Sequence, residues 1–132
     1  MDYVLDTHVL LWWLLKSSNL SKKHEALLDF LEEQGEVFAV SVMTLWEIAQ
    51  LVERRRFLLQ FALEPWLQGL EIRSELKILP LTAQVILDAQ KLGTGFPRDP
   101  ADRLIAATAR TQGAKLLTVD QKIIDSGVVA TV

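Results

Sequence analysis

The chain has 132 residues, half of them apolar and 23% charged, with 14 Lys plus Arg against 17 Asp plus Glu. That is enough for one domain, residues 1–132, with a proper core; it excludes a disordered chain, and a net charge of −3 provides no general positive field to collect nucleic acid. The absence of Cys excludes disulfide frameworks, thiolate zinc sites and Cys nucleophiles and favours the cytosol, and the longest wholly apolar run, Val9 to Leu15, is far short of the ~20 residues of a membrane span. The first residues carry Asp2 and Asp6 and no basic leader, so the protein is expected to stay in the cytoplasm, away from membranes.

Tyr3 to Asp6 reads as a short strand ending in a carboxylate, and the apolar stretch Val9 to Leu15 follows as a helix. Lys22 to Gln34 repeats apolar residues at Ala26, Leu27, Phe30 and Leu31, an amphipathic helix that Gly35 terminates. Val37 to Val42 reads as a buried strand. In the next helix Leu45, Ile48, Ala49 and Val52 form one core-facing stripe, and Glu47 falls on the opposite side. A helical stretch is expected over Phe57 to Leu70 and a short strand over Lys77 to Leu79. Thr82 caps a helix running to Leu92, and Gly93 to Pro97 form the main loop. Asp99 followed by Pro100 is a strong helix start, and Gly113 stops that helix. Lys115 to Val119 is a strand, Asp120 begins a helical turn, and Val128 to Val132 is a last short strand. The alternation predicts a three-layer α/β/α sandwich around a mostly parallel sheet, with ligands beyond the carboxyl ends of the strands.

Five acids fall at that edge: Asp6, Glu47, Asp99, Asp102 and Asp120. Each has a structural explanation. Thr44 to Glu47 and Asp99 to Asp102 have capping-box spacing, and Asp6 and Asp120 suit lone N-caps. Taken together they repel one another and need a counter-charge, yet no Lys or Arg adjoins Asp6, Glu47 or Asp120, and only Arg98 and Arg103 flank the Asp99 and Asp102 pair. Oxygen ligands without Cys suit Mg²⁺ or Mn²⁺, and the reaction such a site supports is phosphodiester hydrolysis. His8 is read as packing at the start of the first helix, and Trp12, Trp13, Trp46 and Trp66 as structural.

Leu5 to Trp12 (LDTHVLLW), Ser41 to Glu47 (SVMTLWE), Arg98 to Ala109 (RDPADRLIAATA) and Leu117 to Asp120 (LTVD) resemble, in order and spacing, the motifs of PIN-domain proteins, and within them the VapC-type toxins. The resemblance implies a Mg²⁺- or Mn²⁺-dependent endoribonuclease, a homodimer silenced by a VapB-like antitoxin. Carried over by position, it makes Asp6, Glu47, Asp102 and Asp120 the catalytic metal-site acids. Asp99, part of an Asp-Pro-X-Asp-Arg variant, ranks behind Asp102 as a metal ligand, cap or support. Thr7 and Thr118 match polar positions that support the cluster. Two other readings compete: a PIN-like module that only binds a protein partner, and a phosphotransferase of the haloacid-dehalogenase or receiver type. The first of those phosphotransferases requires an Asp where His8 stands. Arg54, Arg55, Arg56, Arg98 and Arg103 are proposed to contact RNA phosphates or, alternatively, the antitoxin.

Overall fold

Among the described residues every strand is short, and each is followed, after no more than three residues, by a helix. In the computed structural model, which describes residues 2–132, β1 (Tyr3–Leu5) leads into α1 (Thr7–Leu14) and α2 (Lys22–Glu33), and β2 (Phe38–Ser41) into α3 (Val42–Glu53) and α4 (Leu63–Glu71). β3 (Leu76–Leu79) is followed by α5 (Ala83–Gln90) and α6 (Pro100–Thr111), and β4 (Lys115–Leu117) by α7 (Gln121–Ser126). The strands pair in the order β3-β2-β1-β4, all parallel. The chain therefore steps outward from β1 to β3 and then returns to lay β4 on the other side of β1. A right-handed crossover changes face when its direction reverses, so helices cover both sides of the sheet.

The pleat sorts the core accordingly. Leu5, Phe38, Val40 and Leu117 face one layer with Val9, Leu10 and Leu28, while Val4, Ala39 and Leu116 face the other with Ile105, Ala106, Ala109 and Ile123. Neighbouring residues on the central strands β1 and β2 thus belong to opposite cores, which is why these strands read as apolar runs. On the first side Trp13 meets Phe38 edge-on, 5.1 Å between ring centres, and Trp12 and Trp66 are partly buried against the same cluster. On the second side α6 presents fully buried Ala106 and Ala109 to the sheet, and these small side chains let the helix lie close. Gly113, at φ +64°, takes the left-handed turn that ends α6 and aims the chain into β4.

Three expectations are corrected. Phe57 to Ala62 is not helical; α4 starts only at Leu63, since Phe57 follows the left-handed Arg55 and packs back on the core. The last strand is reduced to a single parallel bridge, Leu116 to Thr131, because β4 is three residues long and Val129 turns into the core instead of pairing. The cap of α3 is Ser41, whose Oγ accepts from Met43 N at 3.0 Å, so Thr44 lies inside the helix and is buried. Thr82, Asp99 and Asp120 cap as predicted. Among the described residues no helix is long and apolar enough to cross a membrane.

The close approach of α6 makes a stability prediction. Ala106→Leu adds three heavy atoms where there is no room and should cost about 1–3 kcal/mol in urea unfolding. An unchanged midpoint would show that α6 does not rest on the sheet through its alanines.

Candidate metal centre

The acids arrive at one edge for local reasons. Asp6 ends β1 and caps α1, its Oδ1 accepting from Thr7 N at 2.9 Å. Its Oδ2 accepts from Thr118 Oγ1 at 2.7 Å, and Thr118 Oγ1 in turn accepts from Asp120 N at 3.1 Å. The ladder contact Asp6 N to Leu117 O, 2.9 Å, sets this register, so pairing of β1 with β4 places Asp6 beside Thr118. Asp120 caps α7 through Lys122 N at 2.9 Å.

Glu47 reaches the cluster from α3. It does not face away from the core: it is half-buried, and one of its oxygens accepts from the hydroxyl of Thr7. Thr7 Oγ1 lies 3.2 Å from Thr44 Oγ1. A hydroxyl has one proton, and Thr7 gives its own to Glu47, so Thr44 donates to Thr7. All three threonines, Thr7, Thr44 and Thr118, are buried. Sequence reasoning assigned Thr7 and Thr118 to the site and read Thr44 as a cap. The signal for Thr44 was available, since i to i+3 on a helix places it on the same side as Glu47.

Asp99 and Asp102 belong to the first turn of α6. Asp99 is the cap, Oδ1 accepting from Ala101 N at 2.8 Å, and Pro100 occupies the first helical position. Glu47, Asp99 and Asp102 offer carboxylate oxygens all within 4.8 Å of one another. Asp6 and Asp120 stand outside that tight group but are close enough to act on it electrostatically. Burial pushes the Asp102 carboxyl up to about 7, with Asp6, Asp99, Glu47 and Asp120 each adding to the shift. Burial also raises Asp6, against the hydrogen bonds from Thr118 and Thr7, and raises Glu47, against the hydrogen bond from Thr7.

Among the described residues no Lys or Arg forms an ion pair with these acids, and His8 acts on Asp6 and Glu47 only through space, favouring their charged forms. Among the described residues the salt bridges are Arg73 to Glu75 and Arg110 to Asp88, both away from the cluster. Arg103, although next to Asp102 in sequence, donates to the carbonyls of Gly93 and Phe96 at 2.8 and 3.1 Å and lies over the Phe96 ring. It fastens the loop from Gly93 to Phe96 through one guanidinium nitrogen. Arg98 is exposed, and Arg54 to Arg56 lie just beyond the end of α3, also exposed. His8 is exposed, sits 5.7 Å from Trp12, and among the described residues makes no hydrogen bond to the acids. Trp46 is the exception to the structural reading of the tryptophans, with 52% of its surface exposed. An all-oxygen donor set, clustered, partly buried and without an internal cation, fits a hard divalent ion.

The PIN-domain pattern matches residues 3–127. Ribonuclease VapC22 of Mycobacterium tuberculosis (strain ATCC 25618 / H37Rv) is 33% identical over 120 residues, covering 91% of this chain and 88% of that protein. Two solved structures illustrate the likeness of fold. VapBC2 from Rickettsia felis, bound to a DNA fragment from their promoter, has a TM-score of 0.71 at 19% identity, over 100% of this chain and 98% of that one. VapBC-1 from nontypeable Haemophilus influenzae gives 0.70 at 18%, over 100% and 97%.

The raised carboxyls predict an inverted pH dependence. A group whose value is higher in the folded than in the unfolded chain stabilises the fold below its unfolded value, and that stability is lost as pH rises through the folded value. In chelator, the thermal midpoint should therefore fall between about pH 4 and about pH 7. Asp102→Asn should melt a few degrees above the parent at pH 8 without metal, and Mn²⁺ should reverse that order. A parent that gains stability across this window in chelator would contradict the assignment.

Proposed function

The chain belongs to the PIN-domain family, and on that premise we propose that it is a Mg²⁺- or Mn²⁺-dependent endoribonuclease, the toxin of a VapBC-type pair. It acts in the cytoplasm as a homodimer and is held silent by a VapB-like antitoxin. The observation that carries this reading is the convergence of acids from β1, α3, α6 and the β4 to α7 junction on one sheet edge with no counter-cation among the described residues. The support from relatives is the 33% identity to a protein named a ribonuclease.

Glu47, Asp99 and Asp102 are the residues that would hold the ion most directly, with Asp6 and Asp120 completing the negative field. The ion, when bound, lowers the pKa of an attacking water and offsets charge developing on the phosphate. The chain's own work is positioning. Thr7 and Thr118 fix the carboxylates of Glu47 and Asp6 in single orientations, and the caps of α1 and α6 fix the backbone from which Asp6 and Asp99 extend. Asp102, with its carboxyl near 7, changes proton occupancy within the physiological range, so occupation by a cation should release a proton and strengthen as pH rises to about 7.

Asp6→Asn keeps a side chain that caps helices well and removes the charge. We expect Asp6→Asn and Glu47→Gln to lower RNA cleavage at least 100-fold, on the scale of losses seen when metal sites are disturbed, while circular dichroism and melting remain those of a folded protein. Excess EDTA should stop cleavage by the parent. RNA hydrolysis that persists in chelator, or in Glu47→Gln, would reject the mechanism. A protein with no measurable Mn²⁺ affinity by calorimetry would instead favour the partner-binding module.

A further inference from the structure

Beside the acids lies a recess of about 280 Å³ between α3 and the start of α6, bordered by Glu47 and Asp99 themselves. Its apolar walls include Met43 and Trp46 on α3 and Pro100 on α6, and Arg54 and Arg56 stand at its far end. Met43, Trp46, Glu47, Gln50 and Arg54 are spaced i, i+3, i+4, i+7 and i+11, one continuous stripe running along α3 to its C-cap, Arg54. Along that stripe Arg54 is about 10 Å from Glu47, two turns of helix. A large indole left half in solvent, immediately next to a catalytic carboxylate, contributes little to the core, and its exposure calls for another role.

We infer that this recess is a nucleotide subsite: it takes one unstacked base next to the scissile phosphate against Trp46, and Arg54 and Arg56 hold the phosphate farther along the strand. The inference rests on the nuclease reading and adds to it a substrate requirement. The chemistry matches in three respects. An aromatic face stacks any nucleobase, which suits a single strand whose bases are already splayed. Two guanidinium groups at one end of an acidic site give the local positive charge that a net charge of −3 denies the protein as a whole. The walls come from the same helix and the same helix cap that carry Glu47 and Asp99, so a base seated here is held in fixed register with the acids. Arg55, in the left-handed conformation, and Arg103, turned to its loop, do not border the recess, so Arg54 and Arg56 are the cations that line it.

The test is steady-state cleavage of a single-stranded RNA oligonucleotide in Mn²⁺, with the cut first mapped for the parent protein and matched RNAs then made abasic on either side of it. Trp46→Ala should lower kcat/KM on the intact RNA about 5- to 150-fold, chiefly through KM, and should cost nothing further on one of the two abasic RNAs. Trp46→Phe should recover most of the activity, and Mn²⁺ binding by calorimetry should be the same in all three proteins. Arg54→Ala with Arg56→Ala should flatten the plot of log affinity against log salt by about 0.7, one neutralised phosphate on a single strand. The subsite is overturned if Trp46→Ala cleaves intact RNA like the parent, or loses equally on intact and abasic RNA. It is also overturned if Trp46→Ala leaves cleavage untouched but abolishes inhibition by a short peptide with one arginine among leucines, which would give the recess to a protein segment. A parent protein that cleaves no RNA in Mn²⁺ defeats the nuclease reading itself, and the subsite with it; the other outcomes leave that reading standing.

Discussion

Five carboxylates repel one another, and at the carboxyl edge of this sheet the hydrogen bonds that oppose the repulsion come from neutral donors: the hydroxyls of Thr7 and Thr118 and the amides at the starts of α1, α6 and α7. Each donor belongs to backbone that the fold holds in place for its own reasons. Thr118 follows β4 and meets Asp6 because β1 and β4 pair in one register; Thr7 meets Glu47 because α1 and α3 pack on the same face of the sheet. Dipoles of this kind orient the acids without cancelling their charge. The site is consequently rigid and still strongly negative, a combination that an internal lysine or arginine could not provide.

The rest of the architecture follows from bringing elements distant in the chain to that edge. Parallel pairing sends every strand out in the same direction, so each following helix starts on the same side. The reversal of direction between β3 and β4 puts α6 on the opposite layer from α1 and α3, so its first turn approaches Glu47 across the sheet edge. Alanines at the buried positions of α6 bring that first turn in close, and Pro100 fixes where it starts. Burial of Leu5, Phe38 and Leu117, each contributing on the order of 2 kcal/mol, supplies the stability that holds the charged rim together.

Much of this was legible in the residues. β1 and β2 announce themselves as apolar runs closed by an acid and a serine, and the start of α6 is written in Asp99-Pro100. The acids were identified one at a time as caps and together as a cluster, and the structure gives Asp6, Asp99 and Asp120 the capping role within the same acidic edge. Other features depend on tertiary packing that no local pattern encodes. Glu47 was placed away from the core because the periodicity of Leu45, Ile48 and Val52 ignores the neighbouring helix; in fact Thr7 lies there to meet it. Arg98 and Arg103 looked alike in sequence, whereas Arg103 is bound to a loop and Arg98 is exposed. Trp46 was grouped with the other tryptophans because a side chain's exposure is set by what packs around its helix, and here nothing covers it.

The engagement of Arg103 with the carbonyls of Gly93 and Phe96 has one more effect. An arginine one position after Asp102 would, if it turned back, form an intramolecular ion pair with the acids and act as a built-in competitor of any incoming cation. By giving that guanidinium two carbonyls and an aromatic ring, the loop ahead of α6 removes the competitor at its source. A cation arriving at the acids would then displace no internal guanidinium, and its affinity would carry no cost of evicting a tenant.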